Sequence, residues 1–151
     1  MAGEFEALDD LYREVILDHY KSPRHHEQVM PHDVQQEGFN PLCGDQIVIQ
    51  LKFVGHQIER IGFSGKGCSI SQASASILTE EVEGKSLEEV QKKIDLFKQM
   101  MHGKLDPATI ESLGDLEALS GVQKFPVRIK CALLAWTTLE EAFDFYLKKG
   151  G

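Results

Sequence analysis

Gln46-Ile47-Val48-Ile49-Gln50-Leu51-Lys52-Phe53-Val54, then Gly55-His56, then Ile58-Glu59-Arg60-Ile61-Gly62-Phe63 is the stretch that decides the fold. Ile47, Ile49, Leu51 and Phe53 recur every second residue, which puts them on one face of a strand over 46–54. Gly55-His56 turns the chain, and residues 58–63 read as the antiparallel partner of a hairpin. Residues 35–40, just upstream, supply a third strand.

On either side of this sheet the period changes from two to three or four. Phe5, Leu8, Leu11, Val15, Ile16 and His19 mark an amphipathic helix over residues 5–20 that ends at Ser22-Pro23. His19 lies on its apolar face and reads as packing. From Ser69 onward Ile70, Ala73, Ile77, Leu78 and Val82 face one way, and Gly84 stops the run. Ser86-Leu87-Glu88-Glu89 is a capping box for a helix carrying Val90, Ile94, Phe97 and Met101. Asp106-Pro107 starts a shorter helix. Pro126 opens the last one, whose Val127, Leu133, Leu134, Trp136, Leu139, Phe143 and Tyr146 are expected to pack on the sheet. The expected class is α+β, a small three-stranded antiparallel sheet packed against several helices.

Composition narrows the function. A chain of 151 residues is long enough to bury a core without staples, so a metal would serve function rather than folding. The formal charge of −8 repels phosphate backbones and anionic headgroups, which argues against nucleic acid and membrane surfaces as partners. Residues 1–6 resemble neither a secretory signal nor a membrane span, and the expected location is a reducing cytosol. Three widely separated cysteines in such a compartment are free, metal-bound or catalytic rather than disulfide-bonded.

Each cysteine sits at a distinctive place. In Asn40-Pro41-Leu42-Cys43-Gly44-Asp45, Cys43 and Asp45 share the odd register of Ile47 to Phe53, so an extended strand would point both at the core side. A carboxylate there needs a cation or several donors; bonding the amides of a turn is the plainer use of the same aspartate. Cys68, in Gly65-Lys66-Gly67-Cys68-Ser69, lies between a strand and a helix whose first amides favour a thiolate. Its plainer reading is a small buried side chain. Cys131 falls one turn into the last helix, three residues after Arg128, which would lower a neighbouring thiol's pKa and hold its thiolate. A packed cysteine with a surface arginine is the alternative. Taken together, a strand start, a strand-to-helix turn and a helix start could gather three thiols and one carboxylate at one edge of the sheet. That donor set suits tetrahedral zinc, although the C-x-x-C knuckle of zinc fingers is absent.

With these motifs, and with Leu11-Tyr12-Arg13-Glu14-Val15-Ile16-Leu17-Asp18-His19-Tyr20, Pro23-Arg24, Gly67-Cys68-Ser69-Ile70-Ser71-Gln72-Ala73-Ser74-Ala75-Ser76 and Pro126-Val127-Arg128-Ile129-Lys130-Cys131-Ala132, the chain resembles the U-type iron–sulfur assembly proteins over nearly its whole length. It is most similar to their SufU branch, zinc-dependent sulfur acceptors for a cysteine desulfurase. It looks less like the IscU scaffold branch, which carries histidine where this chain has Lys130 and a shorter segment between the second and third cysteines.

The resemblance implies one SufU/IscU-like domain over residues 1–151 acting as a sulfurtransferase. It implies zinc held by Cys43, Asp45, Cys68 and Cys131, with Cys43 as sulfur acceptor and Arg128 stabilising its thiolate. It further implies a desulfurase partner of the SufS type, one of whose histidines takes the place of Cys43 on the metal, and a downstream iron–sulfur scaffold as recipient. A scaffold on which a cluster is assembled is the competing reading, and a purely structural zinc protein the third.

Overall fold

The computed structural model describes residues 10–149. Helix α1, Asp10–Lys21, is followed by strands β1, Val34–Asn40, β2, Asp45–Val54, and β3, Gln57–Lys66. Helices α2, Ser69–Val82, α3, Leu87–Met101, and α4, Pro107–Glu111, come next, then a 3₁₀ run, Gly114–Lys124, and the long helix α5, Pro126–Lys148. Phe5 and Leu8, expected in the first helix, fall outside the described residues.

The three strands form one antiparallel sheet in the order β1-β2-β3. Ile47, Ile49, Leu51 and Phe53 all face inward and are buried, as their alternation requires. Two-residue and four-residue turns join the strands: Val54 pairs with Gln57 around Gly55-His56, and Asn40 pairs with Asp45 around residues 41–44. Helix α5 lies over β1 and β2, and α2 over β3. The approach of α5 to β1 is so close that a Cβ on Gly38 would stand 2.0 Å from Thr138 Oγ1, so only glycine fits there.

The helices carry out their sequence signals with few changes. Ser86 caps α3 through the Glu89 amide at 3.1 Å, and the Glu89 carboxylate answers the Ser86 amide, the expected capping box. Val90, Ile94, Phe97 and Met101 are buried, and Phe97 stacks on fully buried Trp136 with ring centroids 4.5 Å apart. Val127 departs from expectation, being 56% exposed. Val127 lies in the first turn of α5 beside exposed Pro126, whereas Cys131, one turn further along the same face, is buried.

Two features had no counterpart in the reading of the sequence. The 3₁₀ run buries Leu116, Ala118, Leu119 and Val122 and packs on α1, α3 and α5. Helix α2 is buried nearly all round, and its hydroxyls are spent inside the core: Ser74 donates to the Ala132 carbonyl at 2.7 Å and accepts from Trp136 Nε1 at 3.0 Å. His19 is packed as expected, yet it also bonds Ser76 Oγ through Nδ1 at 2.7 Å and Asp115 through Nε2 at 2.9 Å. It thereby ties α1 to α2 and to the 3₁₀ run.

Candidate metal centre

Three donors converge where the β1–β2 turn meets the start of α5. Cys43, Asp45 and Cys131 bring their ligand atoms within 4.8 Å of one another, and the sulfurs of Cys43 and Cys131 are 3.1 Å apart. Asp45 is the first residue of β2 and is wholly buried, as the odd register predicts. Cys43 is delivered differently: the strand begins only at Asp45, and Cys43 belongs to the turn, where Gly44 takes a positive φ of 69°. Its parity with Asp45 is therefore a product of the turn rather than of strand geometry. Cys131 is fully buried on α5, whereas Cys43 is partly exposed.

Cys68 stands beside this trio. Its backbone amide donates to Asp45 Oδ1 at 2.9 Å, while its sulfur is not one of the three donor atoms that lie within 4.8 Å of one another. The sulfur also caps α2, accepting the Ser71 amide at 3.4 Å. The neighbouring Cys131 thiol outweighs burial and, helped by the Ser71 amide, holds the Cys68 thiol down at about 6. Cys131 is pushed the opposite way, first by the neighbouring Cys68 sulfur, then by burial and by its bond to Cys43. Gly67, next to Cys68, packs against Asp45 so tightly that a Cβ would lie 2.4 Å from Oδ1.

Arg128 is no surface residue. It is buried, with Nη1 3.4 Å from Cys43 Sγ and 3.5 Å from Cys131 Sγ. The structure thus brings the arginine, two of the three cysteines and the aspartate into direct register, with the third cysteine bonded to the group. A buried carboxylate among three thiols, with one guanidinium as the cation in contact with the sulfurs, is an anionic donor set suited to a divalent metal.

Asn40 joins the site without having been singled out from the sequence. It is buried opposite Asp45 in the β1–β2 register, and its Nδ2 donates to Asp45 Oδ2 at 3.2 Å and to Cys131 Sγ at 3.6 Å. An asparagine immediately before Pro41, at the closing pair of a tight turn, is the signal that could have identified it.

The surroundings of the site are apolar. Phe39 and Leu42, 64% and 63% exposed, border a groove shared with Lys130, Leu133 and Thr137. A second group, His19, Glu80 and Asp115, also brings ligand atoms within 4.8 Å. Glu80 already has cationic company, Arg24 Nε lying 3.8 Å away, and His19 is bonded on both nitrogens. Among the described residues, no helix is long and apolar enough to cross a membrane.

Comparison with known proteins places this geometry among relatives. Residues 11–150 match the family described as the NifU-like N-terminal domain. The chain is 48% identical over 134 residues to a zinc-dependent sulfurtransferase, SufU, of Bacillus subtilis strain 168, covering 89% of this chain and 90% of that one. It is also 48% identical over 135 residues to an iron–sulfur cluster assembly scaffold protein, IscU, of Streptococcus pyogenes serotype M1, covering 89% and 84%. A crystal structure of a hypothetical protein, 46% identical, superimposes with a TM-score of 0.82 over 91% of this chain and 99% of the other.

Proposed function

The chain belongs to the family of NifU-like N-terminal domains, and from that premise we propose that it is a zinc-dependent sulfurtransferase. In this reading it accepts persulfide sulfur from a cysteine desulfurase of the SufS type and passes it to a downstream scaffold for iron–sulfur cluster assembly. Cys43, Asp45, Cys68 and Cys131 would hold the ion. Three thiolates and one carboxylate are a borderline-soft, four-donor set that zinc accepts, whereas hard cations take oxygen ligands. Zinc, when bound, supplies a positive charge that favours deprotonated thiols without redox chemistry of its own.

The observation that carries the proposal is the environment of Cys43. Cys43 is partly exposed, as is Cys68, but it is the cysteine on the turn whose sulfur lies 3.4 Å from the buried Arg128 guanidinium. Arg128 stabilises the negative charge on Cys43 as its thiolate attacks the outer sulfur of the donor's persulfide. A new S–S bond forms on Cys43, the donor's S–S bond breaks, and the donor cysteine leaves as a thiolate. The exposed apolar side chains of Phe39, Leu42 and Val127 favour a protein surface as the bearer of that persulfide.

The scaffold reading draws on the name of the Streptococcus pyogenes relative, which is as similar as the Bacillus subtilis one. Lys130 weighs against it, because its ammonium, where the resemblance expects a histidine in scaffolds, has no lone pair to give a cluster. The test combines metal analysis with turnover. The purified protein is expected to hold one zinc and no iron, and to accelerate cysteine turnover by its cognate desulfurase. Cys43→Ala is expected to abolish that acceleration; a Cys43→Ala variant as stimulatory as the parent overturns the proposal.

A further inference from the structure

Asn40 is the only asparagine in the chain, and its polar atoms are directed at candidate donors and at the turn that carries Cys43. One Nδ2 hydrogen goes to Asp45 Oδ2 at 3.2 Å and the other to Cys131 Sγ at 3.6 Å. Oδ1 accepts the Leu42 amide at 3.3 Å, and the Asn40 carbonyl accepts the Cys43 amide at 3.4 Å. The amide orientation follows from these partners, since exchanging O and N would set the amide oxygen against the Asp45 carboxylate.

We propose that Asn40 is a positioning residue for the metal centre, holding Asp45, Cys131 and the Cys43 turn in a ligating arrangement. The inference rests on the metal-centre reading given above. Asp45 has two oxygens to orient: the Cys68 amide fixes Oδ1 and Asn40 fixes Oδ2, so the carboxylate is clamped from both sides. The second Nδ2 hydrogen offers the Cys131 sulfur a neutral donor that persists when the thiol is deprotonated. Arg128 supplies charge to the same sulfur from the α5 side; Asn40 supplies direction from the sheet. A side chain needs two donors and one acceptor within a short reach to do all of this, and among the twenty residues asparagine matches that inventory most closely. Outer-sphere bonds of this kind orient ligands and tune their affinity for a metal.

The test uses the full-length protein with zinc and, as a spectroscopic probe, cobalt(II). Asn40→Ala is expected to weaken zinc binding about 10- to 100-fold in competition with a chromophoric chelator. The ligand-field bands of its cobalt form are expected to shift, a change that general loss of stability would not produce. Equal zinc affinity and an unchanged cobalt spectrum overturn the proposal. Protein labelled with ¹⁵N-asparagine adds a measurement on the unmodified chain, which decides the matter even where Asn40→Ala does not fold. Its single side-chain NH₂ pair is expected to shift in step with one equivalent of zinc, and a pair that stays fixed while zinc binds overturns the proposal. Should the unmodified chain bind neither zinc nor cobalt, the metal-centre reading itself fails and the role of Asn40 falls with it.

Discussion

The Arg128 guanidinium lies 3.4 Å from the Cys43 sulfur although the two residues are 85 positions apart in sequence. The same nitrogen is 3.5 Å from Cys131 on its own helix, so one buried cation serves a thiol on the turn and a thiol on α5. Removing it should affect sulfur transfer more than metal content, because arginine is not a ligand. Arg128→Ala is expected to slow persulfide transfer to Cys43 at least about tenfold, the equivalent of roughly 1.4 kcal/mol in the barrier. Zinc per chain should remain near that of the parent. Arg128→Lys should recover only part of the rate, since a lysine point charge lacks the guanidinium fork. Single-turnover transfer from a persulfide-loaded desulfurase measures the rates, and metal analysis of the same proteins measures the zinc.

Gly67 stands against the Asp45 carboxylate with no room for a methyl group, a Cβ there falling 2.4 Å from Oδ1 and 2.7 Å from Ser71 Oγ. Gly67→Ala must displace the aspartate or the start of α2. Zinc affinity is expected to drop by at least about tenfold, in the range found when the supports of a metal ligand are disturbed. The far-ultraviolet circular dichroism should stay close to that of the parent protein. Retained affinity would mean that Asp45 has freedom the packing does not suggest.

Ser74→Ala tests the polar interior of α2. The serine accepts from Trp136 Nε1 at 3.0 Å while donating to the Ala132 carbonyl, and both side chains are fully buried. Alanine leaves the indole N–H without its acceptor, at an expected cost of about 1–3 kcal/mol. Urea unfolding measures the loss. A change below about 0.5 kcal/mol would show that the indole finds another acceptor.

Acid sensitivity is expected at the α3–α5 interface. Burial pushes the Glu140 carboxyl upward, but hydrogen bonds from Lys98 and Gln91 together with the Lys98 charge outweigh it and hold the group below its usual value of 4.5. A carboxylate depressed in the folded state adds stability that is complete above its unfolded pKa. That stability is lost as pH falls through the folded value. The stability difference between the parent and Lys98→Met is therefore expected to be steady from pH 7 to about 5 and to shrink as pH falls below the usual value of 4.5. Denaturant titrations across that range test it; a difference that grows on acidification contradicts the assignment.

Much of this molecule could be read before its coordinates, and the exceptions share a cause. Period-two alternation from Ile47 to Phe53 located the sheet because one of its faces is dry, and the same period correctly buried Asp45. Strand logic stopped there, since a turn obeys its own geometry, and Cys43 reached the site by that route. Arg128 three residues before Cys131 was visible as a helical neighbour, but its burial depends on a sulfur from a different element. The serines of α2 were illegible for a related reason: small hydroxyls score as polar until their tertiary partners, Trp136 and His19, are known. Asn40 likewise looks like a turn residue until β1 is paired with β2. The 3₁₀ run escaped because its buried residues mix periods, Leu116, Ala118, Ser120 and Val122 being two apart and Leu116, Leu119 and Val122 three apart.

Cys131 follows Cys43 by 88 residues and sits on the last helix described. During synthesis the hairpin turn, Asp45 and Cys68 all emerge well before the segment that completes their cluster. Long-range contacts of this kind close late, because the intervening chain must be ordered first. A growing chain therefore carries the thiols of Cys43 and Cys68 without their partner on α5 until that helix has been made and docked.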